Sequence, residues 1–492
     1  MKSLHSLLAA IQPGLGSGLP DIPVQGITAD SRQVAPGFLF VAIPGTQTDG
    51  HKYIPEAINR GATCILGSSM PEHASGSTLS LSLDEPAKAY GLLMAAWYDF
   101  PGRQMQVVGV TGTNGKTSTA TLLFDLFVSL GYTCGLLSTI SIRVGQDTLP
   151  ATHTTPDAGQ LQALLRRMAD NGCSHVFMEV SSHAVHQDRI SGIPFRGALF
   201  TNITHDHLDY HGTFDHYIKA KKKFFDGLDK KAFALVNTDD ARGTVMVQNT
   251  GAAIHTYALR RMASFKTRIL ENSLEGLHLE INGGELLTRF IGEFNAYNLT
   301  AAYGAASLLG IEDTLLRTHL SALQPARGRF ETIRTAGSGI LAVVDYAHTP
   351  DALQKVLDTL RKTKPRQARI LTVVGCGGDR DREKRPLMAR VAAEGSDIIL
   401  LTSDNPRSEE PAMIIEDMAA GLLTGNSGNT LKITDRREAI RTACLLARDG
   451  DILLVAGKGH ETYQETDGVR HPFDDRAVVR ESLLATHKLT NP

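Results

Sequence analysis

The sequence predicts an α/β protein with three domains, and three observations support this fold class. Its 492 residues exceed one ordinary domain and fit about three domains of typical size. A strand, a glycine loop and a helix pattern follow one another over residues 105–124, and apolar strands separated by helices recur over residues 339–456. We expect a small N-terminal α/β domain (residues 1–95), a central P-loop NTPase-like parallel-sheet domain (96–333) and a C-terminal Rossmann-like domain (334–492).

The elements of the first domain follow from apolar runs and turn residues. Residues 38–43 and 63–66 are strand candidates, and a helix is predicted over residues 54–60. Residues 1–11 resemble a signal peptide briefly, but their apolar stretch is short and no cleavage pattern follows. These first residues are therefore predicted to form an amphipathic helix.

The other two domains alternate strands with helices, which is typical of parallel sheets. Residues 176–180 and 197–202 are central strands, and a break follows residue 331. Beyond it the predicted buried strands are residues 339–345, 369–374, 397–402 and 451–456. Functional loops of such a doubly wound sheet are expected at the carboxyl ends of its strands.

Composition excludes several classes of protein. The 50 basic and 52 acidic residues give a net charge of -2, so no basic field argues for a nucleic-acid partner. The five scattered cysteines fit inert packing residues with free thiols in a reduced compartment. No apolar stretch reaches membrane-spanning length, and we expect a cytoplasmic protein with no membrane span.

The most informative motif is a predicted phosphate loop at residues 111–117. Backbone N–H groups of Gly112, Thr113, Asn114 and Gly115 could surround phosphates, Lys116 would reach the outer phosphates, and the Thr117 hydroxyl would bind Mg²⁺. Val110 stands where the generic motif has its first glycine. The alternative, a plain strand-to-helix turn, does not need Lys-Thr after its glycine.

Polar residues follow two other predicted strands of the central domain. Glu179 closes one strand and is a candidate Mg²⁺ ligand; His207 is a candidate ligand of a second metal ion. His207 belongs to a segment that also contains Asp206, Asp209 and His211. The alternative is an ordinary polar loop, and zinc suits the site less because no cysteine is nearby.

The predicted helix at residues 217–225 carries a lysine on its apolar face. At 100° per residue, Lys221 lies in one arc with Tyr217, Ala220, Phe224 and Phe225, opposite the other three lysines of this segment. A lysine on a buried face must extend its amine to solvent, find an anion or change its charge state. The residues alone leave these alternatives open.

Further donors and acceptors lie near predicted strand ends. Residues 152–156 and 181–189 supply hydroxyls, Gln187 and Arg189, which suit an anionic carboxylate or diphosphate. An amide in the 292–298 segment could bind a purine edge, or an asparagine could cap the helix there. Asp345 ends a strand, as an acidic residue that binds a ribose hydroxyl does.

Three C-terminal loops, at residues 375–381, 404–411 and 457–461, follow neighbouring strands. Arg380 and Arg407 are predicted to overhang one cleft, with the carboxylate of Glu461 on the third loop. Guanidinium and carboxylate groups together suit a ligand that carries both a carboxylate and an ammonium. Each loop alone could instead be a surface salt-bridge cluster.

These segments together resemble the Mur ligase family, the ATP-dependent amide-bond-forming enzymes of peptidoglycan precursor synthesis. The resemblance runs nearly end to end, through residues 30–32, 36–37, 49–51, 112–117, 179–183, 207, 221, 295, 298, 328–329 and 345–348. Residues 404–407 resemble the signature of members that add meso-diaminopimelate, whereas the lysine-adding sibling lacks Arg407. A guanidinium can bind the distal carboxylate that diaminopimelate has and lysine lacks.

The resemblance implies roles for individual residues. ATP would be bound by Gly112, Thr113, Asn114, Gly115, Lys116, Thr117, Ser118, Asn295, Asn298, Arg329 and Asp345. The UDP-sugar peptide would be bound by Ser31, Thr46, Gln47, Thr48, His153, Thr154, Thr155, Ser181, Gln187, Arg189 and Lys221. The amino acid would be bound by Arg380, Asp404, Asn405, Pro406, Arg407, Gly457 and Glu461. Thr46, Thr48 and His153 differ from residues common in relatives.

The resemblance also implies a mechanism. Lys221 would be carbamylated by CO₂, and two Mg²⁺ ions would be held through Thr117, Glu179, His207 and Lys221. The catalytic residues would be Lys116, Lys221, His207 and Arg329. The D-glutamate γ-carboxylate of UDP-MurNAc-L-Ala-D-Glu would attack ATP to give an acyl phosphate, which the amine of meso-diaminopimelate would then attack. Closure of the C-terminal domain is expected to exclude water, and a monomer is expected.

Three rival functions remain open from sequence. A lysine-adding sibling and a folylpolyglutamate synthetase share the nucleotide loop; Arg407 argues against the first, and the segment at residues 30–32 against the second. From a different class, a P-loop switch protein would bind NTP to control a partner. A switch would not need a third domain with paired arginines.

Overall fold

The computed structural model describes residues 1–45, 48–70, 78–151, 153–204, 208–335, 339–422 and 429–490. The chain divides into two compact units, residues 1–256 and residues 257–492. The first unit contains a small four-stranded sheet and most strands of a large sheet, and the second contains a six-stranded sheet. Fold class and the α/β organisation predicted from sequence are confirmed.

The N-terminal part of the first unit is a small parallel sheet with helices. Its elements are β1 (Lys2–Ser3), α1 (Leu4–Leu8), β2 (Pro23–Val24), β3 (Gly26–Thr28), β4 (Phe38–Val41), α2 (Ile54–Asn59), β5 (Cys64–Gly67), β6 (Leu79–Ser82) and α3 (Pro86–Trp97). Strands β3, β4, β5 and β6 pair in this order and in parallel. Apolar side chains cover both faces of the sheet, which buries it as parallel sheets require.

The predicted first helix over residues 1–11 is wrong in length. Lys2 and Ser3 form a strand that pairs with Val24 and Pro23 instead. The Ser3 side chain accepts a hydrogen bond from the Ser6 backbone and starts a helix of five residues. A serine cap therefore sets where the helix begins, a signal that the apolar pattern alone does not carry.

The rest of the first unit surrounds the large sheet. Its elements are β7 (Gln106–Thr111), α4 (Lys116–Ser129), β8 (Cys134–Leu137), β9 (Ile142–Val144), β10 (Asp147–Leu149), α5 (Ala158–Asp170), β11 (His175–Glu179), α6 (Ser182–His186), β12 (Phe195–Phe200), α7 (Leu208–His211), α8 (Phe214–Asp226), β13 (Phe233–Asn237), α9 (Gly243–Met246) and β14 (Ala253–Ala258). The order is β10-β9-β8-β11-β7-β12-β13-β14. Strands β8, β11, β7, β12 and β13 are parallel, and β9 and β10 are antiparallel additions at the edge.

The second unit contains a strand meander and then a doubly wound sheet. Its elements are β15 (Phe265–Ser273), β16 (Gly276–Ile281), β17 (Gly284–Thr288), α10 (Glu293–Leu308), α11 (Asp313–Ala322), β18 (Glu331–Ile333), β19 (Leu341–Asp345), α12 (Pro350–Thr363), β20 (Ile370–Cys376), α13 (Lys384–Gly395), β21 (Ile398–Ser403), α14 (Pro411–Ala419), β22 (Thr430–Lys432), α15 (Arg436–Leu446), β23 (Ile452–Ala456), β24 (Tyr463–Thr466), β25 (Val469–Pro472) and α16 (Asp475–Thr490). The six-stranded order is β18-β19-β23-β20-β21-β22, parallel except for β18. The four predicted buried strands are confirmed as β19, β20, β21 and β23.

The antiparallel strands β15, β16 and β17 were not predicted. Along β16, Leu277, Leu279 and Ile281 are buried, while His278 and Glu280 between them are half-buried. This two-residue period belongs to a sheet with one buried face. By contrast, successive residues of β19 alternate between two apolar clusters, one on each face of its sheet.

Candidate active site

Three adjacent strands of the first unit end at the same edge of the large sheet. Val110 of β7 lies beside Glu179 of β11, and Thr111 lies beside Phe200 of β12. Because these strands are parallel, the loop after β7, the carboxylate of Glu179 and the segment after β12 meet at this edge.

The loop after β7 adopts a conformation that requires glycine. Gly112 has a φ of 150° and Gly115 has a φ of 86°. A Cβ at Gly112 would lie 1.9 Å from the Thr201 hydroxyl oxygen, so no other residue fits. Helix α4 starts at Lys116 without a side-chain cap, and its first N–H groups give this end a positive potential.

Residues 201–204 hold the loop in place, and sequence reasoning missed them. The backbone N–H of Thr113 donates to the Asn202 carbonyl at 2.8 Å, and that of Asn114 donates to the Asn202 side-chain oxygen at 3.0 Å. The Thr201 hydroxyl donates to the Asn114 carbonyl at 2.6 Å. The prediction that the N–H groups of Thr113 and Asn114 face phosphates is therefore corrected: in this structure they bond to Asn202.

Two lysine amines bond to the same carbonyl oxygen of the loop. Lys116 Nζ donates to the Gly112 oxygen at 3.0 Å and to the Thr113 oxygen at 2.8 Å. Lys221 Nζ donates to the Gly112 oxygen at 2.8 Å and lies 4.6 Å from the centre of the Tyr217 ring. Two cations near one oxygen repel each other, most strongly where water is excluded.

Helix α8 confirms the predicted division into a buried and an exposed face. Lys221 is 1% exposed, so its amine does not extend to solvent. Lys219 is exposed, while Lys222 and Lys223 form salt bridges with Asp226 and Asp188. The buried face of the helix is Tyr217, Ile218, Ala220, Lys221, Phe224 and Phe225.

Glu179 has one carboxylate oxygen that no described residue satisfies. It is 1% exposed, and its Oε1 accepts a hydrogen bond from the Thr139 backbone at 2.7 Å. Its Oε2 is buried with no hydrogen-bond partner among the described residues. A buried carboxylate oxygen costs free energy unless a donor or a cation satisfies it, so this residue fits a bound metal ion.

Of the other predicted ligands of ATP and Mg²⁺ in this unit, the structure describes Thr117 and Ser118 but not His207. Thr117 is buried in the first turn of α4, and Ser118 beside it is half-buried. His207 lies outside the described residues. The described part of the chain contains no cluster of three or more His, Cys, Asp or Glu residues that could hold a metal ion.

Four predicted substrate-binding residues, Thr155, Ser181, Gln187 and Arg189, lie together near the carboxyl end of β11. The Thr155 hydroxyl donates to the Glu179 carbonyl at 2.9 Å and also bonds to Ser181. Arg189 donates to the Thr155 carbonyl at 2.8 Å and to the Gln187 side-chain oxygen at 2.9 Å. Burial lowers the pKa of Arg189, and among the described residues its guanidinium donates to amide and carbonyl oxygens rather than to a carboxylate.

Tyr210, which sequence reasoning missed, holds this group from the other side. Its hydroxyl accepts from Gln187 at 2.8 Å and lies 2.9 Å from His186 Nδ1. His211 is buried, with Nε2 3.0 Å from the Ser182 hydroxyl oxygen. These bonds fix the positions of Tyr210 and His211, and the ordinary polar loop stays an open alternative for this segment.

The remaining candidates of the first unit are scattered. Ser31 is buried and donates to Glu56 at 2.7 Å, and the Thr48 hydroxyl lies 3.2 Å from the Tyr53 hydroxyl. His153 is exposed, and the side chain of Thr154 accepts from Thr139 at 3.0 Å. Thr46 and Gln47 lie outside the described residues.

In the second unit, two asparagines are buried in the first turns of α10. The cap of this helix is Gly292, so the alternative of an asparagine cap is wrong. Asn295 donates to the Ile291 carbonyl at 2.9 Å, and Asn298 donates to the Asn295 side-chain oxygen at 3.3 Å. Their role in binding a purine stays a prediction.

Arg329 and Asp345 lie close to each other. Asp345 accepts from the Phe330 backbone at 2.6 Å, and the Arg329 guanidinium lies 4.6 Å from the centre of the Tyr346 ring. Burial raises the pKa of Asp345, although the Arg329 charge opposes the shift. Burial also raises the pKa of Tyr346 to about 12. It lowers the pKa of His460, whose ring centre lies 4.9 Å from that of Tyr346, to about 3.

The two arginines of the C-terminal loops flank Gly377. A Cβ at Gly377 would lie 2.9 Å from an Arg407 guanidinium nitrogen and 3.7 Å from Arg380 Cγ. Arg407 donates to the Gly378 carbonyl at 2.6 Å, while Arg380 is exposed. The two side chains thus lie near each other, and Arg407 is the more tightly held.

A buried arginine, Arg385, connects the loops that follow β20 and β21. Arg385 is fully buried and forms ion pairs with Glu409 at 2.8 Å and Asp417 at 2.8 Å. Its guanidinium is the main reason that the pKa of Glu409 falls from 4.5 to about 2. Glu409 also accepts from the Asp379 backbone at 2.6 Å, so this pair joins the loop after β20 to the loop after β21.

The third loop meets the second at Asn405 and Glu461. Asn405 Nδ2 donates to Glu461 Oε2 at 2.8 Å. Gly457 has a φ of 114°, and a Cβ there would lie 2.6 Å from the Asp404 carboxylate. Asp404, Asn405, Pro406, Gly457 and Glu461 are therefore brought together as predicted; their contact with an amino acid stays a prediction.

Parallel strands that carry a Gly-Lys-Thr loop at their carboxyl ends define a nucleotide-binding α/β protein. Comparison with known families is more specific. The matches are the Mur ligase family catalytic domain over residues 23–98, the Mur ligase middle domain over residues 110–306 and the Mur ligase glutamate ligase domain over residues 328–459. The chain belongs to the Mur ligase family, and it is a ligase with the three-domain architecture of that family.

Curated relatives match nearly the whole chain. The UDP-N-acetylmuramoyl-L-alanyl-D-glutamate–2,6-diaminopimelate ligase of Bacteroides fragilis is 51% identical, covering 98% of this chain and 99% of that protein. The protein of the same name from Geobacillus kaustophilus is 40% identical, covering 95% and 96%.

Solved structures agree with these matches. A structure of UDP-N-acetylmuramoyl-L-alanyl-D-glutamate–2,6-diaminopimelate ligase is 36% identical with a TM-score of 0.69, covering 94% of this chain and 96% of that one. MurF ligase from Thermotoga maritima in complex with ADP is 18% identical with a TM-score of 0.59, covering 96% and 99%. This second likeness shows the fold alone.

Proposed function

We propose that the chain is an ATP-dependent ligase that adds meso-diaminopimelate to the D-glutamate γ-carboxylate of UDP-MurNAc-L-Ala-D-Glu in peptidoglycan precursor synthesis. The observation that carries this substrate choice is Arg407, held by the Gly378 carbonyl beside Arg380. A planar guanidinium binds a carboxylate through two parallel hydrogen bonds. Relatives that carry the diaminopimelate-adding name match this chain over nearly its full length.

The first step is phosphoryl transfer. A γ-carboxylate oxygen of D-glutamate attacks the γ-phosphorus of ATP, the bond to ADP breaks, and an acyl phosphate forms. Lys116 leaves its loop carbonyls to bind the outer phosphates, and Arg329 neutralises charge on the transferring group. Thr155, Ser181 and Arg189 bind and orient the carboxylate-bearing substrate.

The second step forms the amide bond. The amine of meso-diaminopimelate attacks the acyl carbon, the bond to phosphate breaks, and the nitrogen loses a proton. Arg407 and Arg380 bind the distal carboxylate of diaminopimelate. Asn405 and Glu461 bind the ammonium group at that same distal end, so that the other amine is free to attack. These groups act by orienting the amine, and orientation is worth several orders of magnitude in rate.

The residues present fit Mg²⁺, because Glu179 Oε2 is buried and lacks a partner among the described residues. Thr117, Glu179, His207 and carbamylated Lys221 would hold two such ions, which would neutralise phosphate charge. Carbamylation is supported by Lys221 itself: a buried amine shares the Gly112 oxygen with the cation of Lys116. Conversion to a carbamate replaces that second cation with an anion.

The proposed modification can be measured without turnover. Protein incubated with carbon-13-labelled bicarbonate is expected to show a carbamate signal by NMR that Lys221→Ala removes. Lys222→Ala changes the neighbouring, half-buried lysine, which forms a salt bridge with Asp226; it is the matched control and should keep the signal. Lys221→Ala should also be nearly inactive, with partial rescue by short-chain carboxylic acids. An unchanged signal in Lys221→Ala would refute the modification at this residue.

The substrate assignment is tested by phosphate release from ATP in the presence of UDP-MurNAc-L-Ala-D-Glu. We expect release that depends on the acceptor and is strongest with meso-diaminopimelate, weaker with the L,L isomer and weakest with L-lysine. Arg407→Ala should raise KM for diaminopimelate about tenfold or more and leave KM for ATP unchanged. Arg441→Ala, an exposed arginine on α15, serves as the control. A preference for L-lysine would contradict the assignment.

The rival functions predict other outcomes of the same assay. The structure of folylpolyglutamate synthase from Thermotoga maritima shares the fold, with 15% identity, a TM-score of 0.58 and coverage of 75% of this chain and 89% of that one. An enzyme of that kind would not use the UDP-sugar peptide. A P-loop switch would hydrolyse ATP at a rate that no amino acid changes.

The described helices include none long and apolar enough to cross a membrane. We infer that the ligase works in the cytoplasm as a monomer.

A further inference from the structure

Lys458 is a fully buried lysine in the loop that follows β23, between Gly457 and Glu461 of the amino-acid site. Taking an ammonium group out of water is unfavourable unless partners inside the protein satisfy it. Lys458 takes no part in either chemical step. Its partners decide what it does.

Both partners of the Lys458 amine belong to the amino-acid site. Nζ donates to Glu461 Oε2 at 2.8 Å and to Asn405 Oδ1 at 3.0 Å. It also lies 5.5 Å from the centre of the Tyr463 ring. No other cation of the described residues forms an ion pair with Glu461 within 4.0 Å. Asn405 lies in the loop after β21 and Glu461 lies in the loop after β23, and both are predicted to bind the amino acid. The Lys458 amine therefore links these two loops.

These bonds fix the orientation of the Asn405 amide. Asn405 Oδ1 accepts from Lys458 Nζ and from the Glu465 backbone N–H at 3.0 Å. Two donors on this oxygen exclude the flipped amide, because its NH₂ group would face them. The amide nitrogen is thus directed to Glu461 Oε2, at 2.8 Å.

The same bonds divide the Glu461 carboxylate into two unlike oxygens. Oε2 accepts from both Lys458 and Asn405. Among the described residues, Oε1 has no hydrogen-bond partner, and the side chain is 16% exposed. One oxygen is held in place while the other is left for an ammonium group.

We propose that Lys458 is a positioning residue for the acceptor amino acid, which fixes Asn405 and Glu461 in the single arrangement that binds the amino group. The inference rests on the proposed function, since it names what prepares that site for its substrate. Lys458 touches no reacting atom. Its loss should weaken amino-acid binding by freeing the Glu461 carboxylate and the Asn405 amide to rotate.

The test is the KM of the full-length enzyme for each substrate in Lys458→Met, which removes the charge and keeps the length of the side chain. We expect KM for meso-diaminopimelate to rise about tenfold or more, since hydrogen bonds to charged groups are being lost. KM for ATP and for UDP-MurNAc-L-Ala-D-Glu should stay unchanged. Lys432→Met is the matched control, because Lys432 pairs with Glu416 at 2.7 Å on the surface of the same unit.

A double-mutant cycle with Glu461→Gln separates positioning from general stabilisation. If Lys458 acts through Glu461, Lys458→Met should raise KM by a smaller factor in the Glu461→Gln background than in the wild type. The double variant removes both charges of the pair, so we expect it to fold even if the lone Glu461 carboxylate destabilises Lys458→Met. If Lys458 acts only through Glu461, the double variant should have the same KM for the amino acid as Glu461→Gln alone.

Each outcome decides between the hypotheses. An unchanged KM for diaminopimelate in folded Lys458→Met, or equal rises for all three substrates, would overturn the positioning role. So would independent, multiplicative effects of the two substitutions. If wild-type enzyme shows no turnover that depends on diaminopimelate, it is the proposed function that fails.

Discussion

Three features of the phosphate loop meet at Gly112: its backbone conformation, its close contact with Thr201 and the hydrogen bonds of its carbonyl. Its φ of 150° is open to glycine, a Cβ would collide with the Thr201 hydroxyl at 1.9 Å, and its carbonyl accepts from Lys116 and Lys221. The loop therefore depends on the absence of a side chain here. Thr201, which causes the collision, is also the residue whose hydroxyl holds the Asn114 carbonyl.

Gly112→Ala is expected to raise KM for ATP strongly and to lower thermal stability, because either the loop or the Thr201 segment must move. Steady-state kinetics and thermal unfolding of the full chain measure both effects. The matched control is Gly131→Ala, just beyond the end of α4, where φ is 91° but nothing lies within 4 Å of the new Cβ. It should cost about 1–3 kcal/mol of backbone strain and leave KM for ATP unchanged. A Gly112→Ala enzyme with normal KM would show that the collision is relieved at no cost.

At this scale the sequence predicts some residues and not others, for a physical reason. Lys221 was found because helical periodicity places it among apolar side chains, a local pattern. Lys458 was missed because its burial depends on Asn405, which is 53 residues away in the chain. Asn202 was missed for the same reason, because it follows β12 whereas the phosphate loop that it bonds to follows β7.

Among the elements, helices α15 and α16 carry a buried ion pair that supports the amino-acid loops. Arg436 and Asp475 are both fully buried and pair at 2.7 Å. The same guanidinium donates to the Ala456 carbonyl at 3.0 Å and to the Ser403 carbonyl at 3.3 Å. Ser403 and Ala456 are the last residues of β21 and β23, so the pair holds the two strand ends from which the loops depart.

Asp475→Asn is expected to lower the free energy of unfolding by about 3–5 kcal/mol, because it leaves the buried Arg436 charge without a counterion. Denaturant unfolding of the full chain measures the loss. Glu481→Gln is the matched control, since Glu481 pairs with Arg437 across the same two helices at 3.4 Å but is exposed. This control should not change stability measurably. Equal effects of the two substitutions would show that burial does not set the value of the pair.

Elements were predicted well where one periodicity dominates. The buried strands β19, β20, β21 and β23 appear as apolar runs with turn residues on both sides, and the structure confirms them. The meander of β15, β16 and β17 was not predicted, because residues 96–333 were expected to form a mainly parallel sheet and the two-residue period of this segment was not identified. Helix α1 is shorter than predicted because Ser3 caps it.

At the scale of the whole molecule, three domains were predicted and the family has three. Contacts divide the chain differently, into two compact units that meet in sequence at residue 256, within β14. The predicted boundaries at residues 95 and 333 stay predictions. The first unit carries the nucleotide loop and Glu179; the second carries Arg329, Arg407, Lys458 and Glu461.

The central claim is that this ligase activates a carboxylate by phosphorylation before it forms the amide. The most direct measurement uses UDP-MurNAc-L-Ala-D-Glu labelled with oxygen-18 in the γ-carboxylate, with ATP and meso-diaminopimelate. Mass spectrometry of the released phosphate should show one labelled oxygen per phosphate, because the acyl phosphate gives up the oxygen that attacked ATP. Unlabelled phosphate, released by water at a rate independent of diaminopimelate, would contradict the account.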